Sequence, residues 1–185
     1  MELFLLFVLY SFFGCVLENI YYYIHHGQYV SKRTLLNLPL CPVYGFAALT
    51  LAAADKGIEH NPFMLFVTGF LAVSAVELAF YLVCERAYGI KWWDYSGMRI
   101  NLMGGVSLYY SVMWGMLNIV FAILVHPYCG AAVHMLSHTA KMYLSLSVGV
   151  YLLADLRQTH SELIKYKNGE KSLVAKKFLY LLNNN

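Results

Sequence analysis

The sequence predicts an all-α protein, a polytopic membrane bundle of about five transmembrane helices, with the N-terminus outside and the C-terminus inside. Three observations carry this expectation. Of the 185 residues, 60% are hydrophobic and only 12% charged, where a soluble domain carries about 25% charge. Apolar stretches long enough to cross about 30 Å of hydrocarbon alternate with short polar connectors. Lysine and arginine gather on alternate connectors. The same composition excludes a disordered chain, a collagen-like chain and a disulfide scaffold. Net charge is +3 with no long basic run, which argues against a nucleic-acid partner. Cys15, Cys41, Cys84 and Cys129 form no C-x-x-C pair, so they read as small buried hydrophobes.

The first segment runs from Leu3 to Ile24. No basic residue precedes it and it is too long for a cleavable h-region, so it reads as a retained span. The second, Leu38 to Ala54, is short and bears prolines. The third runs from Pro62 to Cys84 and the fourth from Leu102 to Val125. The fifth, Ser137 to Ala154, has Lys141 near its start, from where a lysine can snorkel to the interface. Residues 1–155 thus form the transmembrane domain, and 156–185 a basic cytoplasmic tail. Asn168-Gly169 is a turn signal in that tail. Val174, Phe178, Leu181 and Leu182 recur at helical spacing beyond it. They suit an amphipathic helix on the inner leaflet, or equally a tail packed on the bundle or partly disordered.

The basic residues set the orientation. Lys32, Arg33, Arg86, Lys91, Arg99, Arg157, Lys165, Lys167, Lys171, Lys176 and Lys177 fall on one side of a five-span chain. Only Lys56 and Lys141 fall on the other. That asymmetry is the positive-inside pattern, and it disfavours an even number of spans.

Ionisable side chains inside a bilayer are costly and need a partner or a job. Ser11, Gly14, Glu18 and His25 share one helix face. Ser74, Glu77, Tyr81 and Glu85 form a polar face on the third segment, at similar depth. The second segment opens with Pro39-Leu40-Cys41-Pro42, where two prolines forbid regular helix. Pro42 suits a helix N1 position, which would point a helix N-terminus at the carboxylates. Trp92-Trp93-Asp94-Tyr95-Ser96 supplies aromatic anchors at the same interface, flanked by Arg86, Arg99 and Asn101. The expected site is therefore a pocket in the cytoplasmic half, built from Glu18, Tyr44, Glu77, Tyr81, Glu85, Arg86, Asp94 and Asn101. Against it stands a purely structural reading, in which the glutamates hydrogen-bond neighbours to hold the bundle.

Ser107, Ser111 and Gly115, with Gly104 and Asn118 on much the same face, form a small-residue stripe. It suits helix–helix contact better than a substrate lining. His126, Cys129, His134 and His138 include an i, i+4 pair that can suit a metal, but histidines are equally at home at a membrane interface. No metal and no cofactor is assigned. Walker A, G-x-S-x-G, H-E-x-x-H and G-x-G-x-x-G patterns are absent, so this chain is not itself an ATPase.

The combination of Gly14-x-x-x-Glu18, Cys41-Pro42-x-Tyr44-Gly45, Glu77, Glu85 with Gly89, Trp92-Trp93-Asp94-Tyr95-Ser96, Asn101-Leu102-x-Gly104 and Trp114-Gly115 resembles the Putative ABC-transporter type IV family. The resemblance covers roughly residues 5–155. One departure is Gly105, where the pattern would have an aliphatic or basic residue. The resemblance implies a permease-like subunit of the cell membrane and no catalytic assignment. Three functions remain open. The first is a permease or transport-accessory subunit binding a solute, ion or lipid headgroup at Glu18 and Glu77. The second is a regulator or assembly factor, and the third an embedded enzyme acting on a lipid-linked substrate. Five spans are few for alternating access, so the first reading calls for a homodimer or a separate ATP-binding-cassette ATPase subunit besides the lipid bilayer.

The orientation is testable directly. An Asn184→Cys variant in intact cells should resist a membrane-impermeant maleimide and react once the membrane is permeabilised. Ready labelling from outside would reverse the topology.

Overall fold

The computed structural model describes residues 1–27, 37–58 and 61–173. The described chain is five helices and one small hairpin. Helix α1 spans Glu2–His26 and α2 spans Pro42–Ala54. Helix α3 spans Pro62–Tyr88, with a π turn at Gly69–Val73. Strands β1 (Asn101–Leu102) and β2 (Val106–Ser107) pair antiparallel, Leu102 opposite Val106. Helix α4 spans Leu108–Met135, with a second π turn at Phe121–Val125. Helix α5 spans His138–Lys167.

Local chemistry explains the ends. Asn61 caps α3 by accepting from the backbone of Phe63 and Met64, with Pro62 in the first turn where no N–H is needed. Ser107 and Ser137 cap α4 and α5 in the same way. Gly27 and Gly89 close α1 and α3 in the left-handed conformation, at φ 66° and 70°.

Among the described residues three helices, α1, α3 and α4, are long and apolar enough to cross a membrane. The other two differ from the expected spans for identifiable reasons. Helix α2 has 13 residues, about 20 Å of helix, which falls short of a hydrocarbon core. Helix α5 has 30 residues but carries Lys141, Asp155 and Glu162, all buried. The expected fourth segment also shifts. Its first residues form the hairpin, and the helix starts at Leu108 and continues ten residues past Val125 to Met135. Helix α5 runs unbroken across residue 155, and its turn comes at Asn168 and Gly169. Val174, Phe178, Leu181 and Leu182 lie outside the described residues.

Buried ionisable groups on α5 all have partners. Lys141 meets Glu2 and donates to the His134 carbonyl at 3.3 Å. Asp155 accepts from the backbone N–H of Asn37 and Leu38, at 3.2 and 2.8 Å, tying the entry to α2 onto α5. Leu163 packs with Ile90 and Trp92. The core between α1, α2 and α4 is Leu5, Leu6, Tyr10, Ala48, Cys129 and Val133.

Small residues set the helix spacing. A Cβ on Gly69 would lie 2.4 Å from the Asn118 Cβ and 2.8 Å from the Trp114 carbonyl oxygen. A Cβ on Gly115 would lie 2.9 Å from the Phe66 carbonyl oxygen. Helices α3 and α4 therefore touch backbone to backbone, with Ser74 and Ser111 hydroxyls 2.6 Å apart in the same seam. The small-residue stripe of α4 is this contact.

Gly69→Val should lower stability in detergent by about 1–3 kcal/mol, because the obstructing atoms are backbone and a Cβ, which cannot rotate away. Gly130→Ala meets nothing within 4 Å and should change stability by no more than about 1 kcal/mol. Thermal melts of the two variants beside wild type check both.

Candidate functional site

Helices α1, α2, α3 and α4 enclose a cavity of about 640 Å³. Glu18 and Tyr44 line it from α1 and α2, and Glu77 lines it from α3. Both π turns border it, through Val73 and Phe121. A π turn adds a residue to the turn and shifts the register of the faces on either side of it. Here the turns sit where the helix faces change from lining the cavity to packing behind it.

The position of Glu18 follows from the irregular start of α2. Pro39 and Pro42 leave Cys41 extended, at φ −115°, as the residue before the helix. Its backbone N–H donates to the Ser11 carbonyl of α1 at 3.0 Å. Its thiol lies 3.7 Å from Glu18 Oε2. The positive end of the α2 dipole thus lies beside a carboxylate, a favourable placement. The α1–α2 approach is close because Gly14 and Gly45 carry no Cβ. Added atoms would lie 2.2 Å from Tyr44 Cγ and 2.2 Å from Ser11 Oγ, respectively. Glu77, buried at 6% exposure, lies one turn past the α3 π turn.

The remaining five sequence candidates do not line the cavity. Tyr81 is buried one turn beyond Glu77, its ring 6.3 Å from that of Trp93. Glu85 pairs with Lys91 at 3.7 Å. Arg86 is exposed. Asp94 and Asn101 hold the connecting loop in shape: Asp94 accepts from Ser96, and Asn101 donates to the Met98 carbonyl at 2.8 Å and accepts from the Gly104 N–H at 3.0 Å. The residues that face inward from this loop are Trp93 and Tyr95. Alternation in an extended stretch puts 93 and 95 on one side and 94 on the other, a signal the sequence carried. Tyr110, Trp114 and Asn118 also line the cavity, at four-residue spacing on α4. Asn118, 1% exposed, donates to the Leu65 carbonyl at 2.7 Å and to Thr68, which in turn donates to Asp55. The histidines near the opposite end have other contacts. His126 Nδ1 is 2.7 Å from the Tyr10 hydroxyl, and His134 is 3.7 Å from Glu2. Among the described residues, no group of three His, Cys, Asp or Glu is placed to hold a metal.

The loop is a close-fitting cap on one end of the cavity. Trp93 Nε1 donates to the Gly105 carbonyl at 2.8 Å, and the Tyr95 N–H donates to the Gly104 carbonyl at 2.8 Å. Gly104 adopts φ 73°, and a Cβ there would lie 2.5 Å from Ser96 Oγ and 2.8 Å from Asp94 Oδ1. A Cβ on Gly105 would lie 2.7 Å from the Tyr81 ring. A larger residue at 105 would have to displace the buried Tyr81 ring. Trp-Trp-Asp-Tyr-Ser and Asn-Leu-x-Gly-Gly are thus two halves of one interlocked unit.

A family model described as Putative ABC-transporter type IV matches residues 5–160. No curated protein and no solved structure matches the chain. The matched span contains every residue of the cavity and the whole of its cap.

Asp94 provides a pH test of the cap. Its carboxyl is held below the usual range first by the Ser96 hydroxyl, then by the Ser96 N–H, with Lys91 adding to the effect. A lowered carboxyl stabilises the folded loop at pH values above the unfolded Asp value of about 3.9, and the contribution fades as pH falls through the folded value. The near-ultraviolet signal of the tryptophans should therefore hold from about pH 8 to about pH 5 and decline below about pH 4. Asp94→Asn should weaken the signal at all pH values and flatten the acid-side decline.

Proposed function

Because the chain belongs to the Putative ABC-transporter type IV family, we propose that it is an integral, permease-like or transport-accessory subunit of the cell membrane. It binds its ligand in the cavity lined by Glu18 and Glu77. The observation that supports this most is the meeting of two carboxylates from different helices in one cavity, in a chain whose α1, α3 and α4 are apolar enough to cross a bilayer. A carboxylate at membrane depth is costly, and two facing one space have a use in accepting a proton or a cation. On the basic asymmetry we read the N-terminus as outside and this cavity as lying toward the cytoplasmic half. Residues beyond Asp155 extend α5 into the cytoplasm on this reading. Tyr81, Glu85, Asp94 and Asn101 serve the site indirectly, by holding the cap against the bundle. The chain carries no nucleotide-binding motif, so the ATPase is a separate subunit, and a homodimer or such a partner completes the transport path.

Glutamine keeps the size and hydrogen bonding of glutamate but cannot titrate or carry charge. Glu18→Gln should therefore abolish complementation of a strain lacking the chain while leaving the melting temperature in detergent unchanged. Glu18→Ala should also destabilise, by about 1–3 kcal/mol, because it leaves polar neighbours without a partner. Full complementation by a stable Glu18→Gln protein would remove Glu18 from the mechanism and favour the regulator or assembly-factor reading.

A further inference from the structure

We infer that the cavity takes the hydrocarbon chain of a membrane lipid, which enters from one leaflet through a window between α1 and α4. This rests on the reading of the cavity as a binding site and names the ligand class. Two contacts frame the window. Tyr10 of α1 meets Phe121 of α4 edge to face at 5.3 Å, and its hydroxyl lies 2.7 Å from His126 Nδ1. Beyond this contact Leu5 and Leu6 pack in one core with Cys129 and Val133 and hold the two helices together. The second contact is the Tyr21 hydroxyl, 3.2 Å from that of Tyr110. The helices run antiparallel, and the contacts lie eleven residues apart on each, about 16 Å of helix at a rise of 1.5 Å per residue.

The side chains between those contacts mark an opening. Phe13 and Leu17 on α1, and Leu117 and Val120 on α4, line the cavity and are 42%, 56%, 42% and 48% exposed. Ala47, Ala48 and Leu51 on α2, with Val73 on α3, line the same cavity at 9% exposure or less. The cavity itself thus gives its lining little accessible surface, and the exposure of the first four comes from outside. Those four are the rim of the window. The other four are the floor behind it.

Depth and chemistry together choose the occupant. Both helices are long and apolar enough to cross a membrane. Tyr21 stands one turn from the end of its span and Tyr110 in the first turn of its own, so the cap-side edge of the window lies near the interface. Its height covers half of a hydrocarbon core of about 30 Å, so the window serves the leaflet on the cap side. A lipid of that leaflet has its head at the level of the cap and its chain beside the rim. Rim and floor are apolar throughout. Water is a poor occupant of an apolar recess, and an empty recess forfeits dispersion contacts. A chain already dissolved in the bilayer sheds no hydration on entering. The volume of about 640 Å³ is far larger than a water's share of about 30 Å³. A purely hydrophilic solute would use neither rim nor floor.

The test uses the whole chain in phosphatidylcholine liposomes. The probe is a phosphatidylcholine with a diazirine at the end of one acyl chain, present as a minor component. After irradiation, adducts are assigned to single residues by mass spectrometry of peptides. Adducts are expected on the floor, at Ala47, Ala48, Leu51 or Val73, besides those on the outward-facing Leu146 and Leu153, which are 64% and 68% exposed. Val120→Trp and, separately, Leu17→Trp place a bulky ring on the rim. Each should lose the floor adducts and keep those on Leu146 and Leu153, and either serves if the other does not fold. Leu146 and Leu153 labelled in the wild-type chain with a bare floor would overturn the proposal. Floor adducts that persist undiminished in a folded rim variant overturn the window as the route. A bare floor beside a growth defect in Glu18→Gln rejects the lipid chain and leaves the site reading standing. Floor adducts beside full growth of Glu18→Gln do the reverse.

Discussion

The close approach of α1 and α2 is the constraint on which the rest of the structure depends. Gly14 and Gly45 let the two backbones meet, and the Cys41 N–H reaches the Ser11 carbonyl across the contact. With a Cβ at either glycine the helices would separate. The short α2 is then tolerated, since its irregular start is buried against α1 and tied through Asn37 and Leu38 to Asp155. Non-helical backbone at membrane depth requires such cover. The same approach brings the α2 N-terminus beside Glu18 and turns Tyr44 into the cavity. One steric fact therefore sets the position of Glu18 and one wall of the cavity.

The opposite wall rests on a second glycine contact, between Gly69 of α3 and the Trp114–Asn118 stretch of α4. Two backbones this close leave no room for polar mismatch, and the seam answers with the Ser74–Ser111 pair and the Asn118 bonds to Leu65 and Thr68. In a bilayer, where apolar burial between helices adds little, small residues and such bonds are what hold helices together. Where the cavity lies, aromatic side chains line much of its wall. Tyr44 and Trp114 reach one another from the two sides, so each glycine seam is finished by an aromatic contact.

The cap shows how a polar loop can border a cavity without supplying its polar lining. Asp94, Ser96 and Asn101 satisfy the loop's own backbone, and by doing so they fix Trp93 and Tyr95 toward the bundle. Gly104 and Gly105 admit Asp94, Ser96 and the Tyr81 ring at distances no side chain would permit. The polar residues of this motif are positioning residues, and the aromatic ones face the cavity.

The sequence by itself determined the helical class, the long apolar helices, the basic asymmetry and the helix faces that carry Glu18 and Glu77. Those depend on composition, periodicity and the cost of charge in hydrocarbon, all local properties of the chain. It also marked the proline break before α2, because proline removes a donor wherever it stands. Only the tertiary structure decided that Asp94 and Asn101 turn inward on their own loop and that Tyr110 and Trp114 join the wall. It likewise decided that α4 starts at Leu108 and that α5 runs on past Asp155. Each of these turns on which groups meet from distant parts of the chain. Spacing puts residues on a face, but what lies opposite that face is settled by packing. Lys141 illustrates the difference: its place in an apolar segment suggested a side chain reaching for the interface, and only the fold brings it Glu2 as a partner.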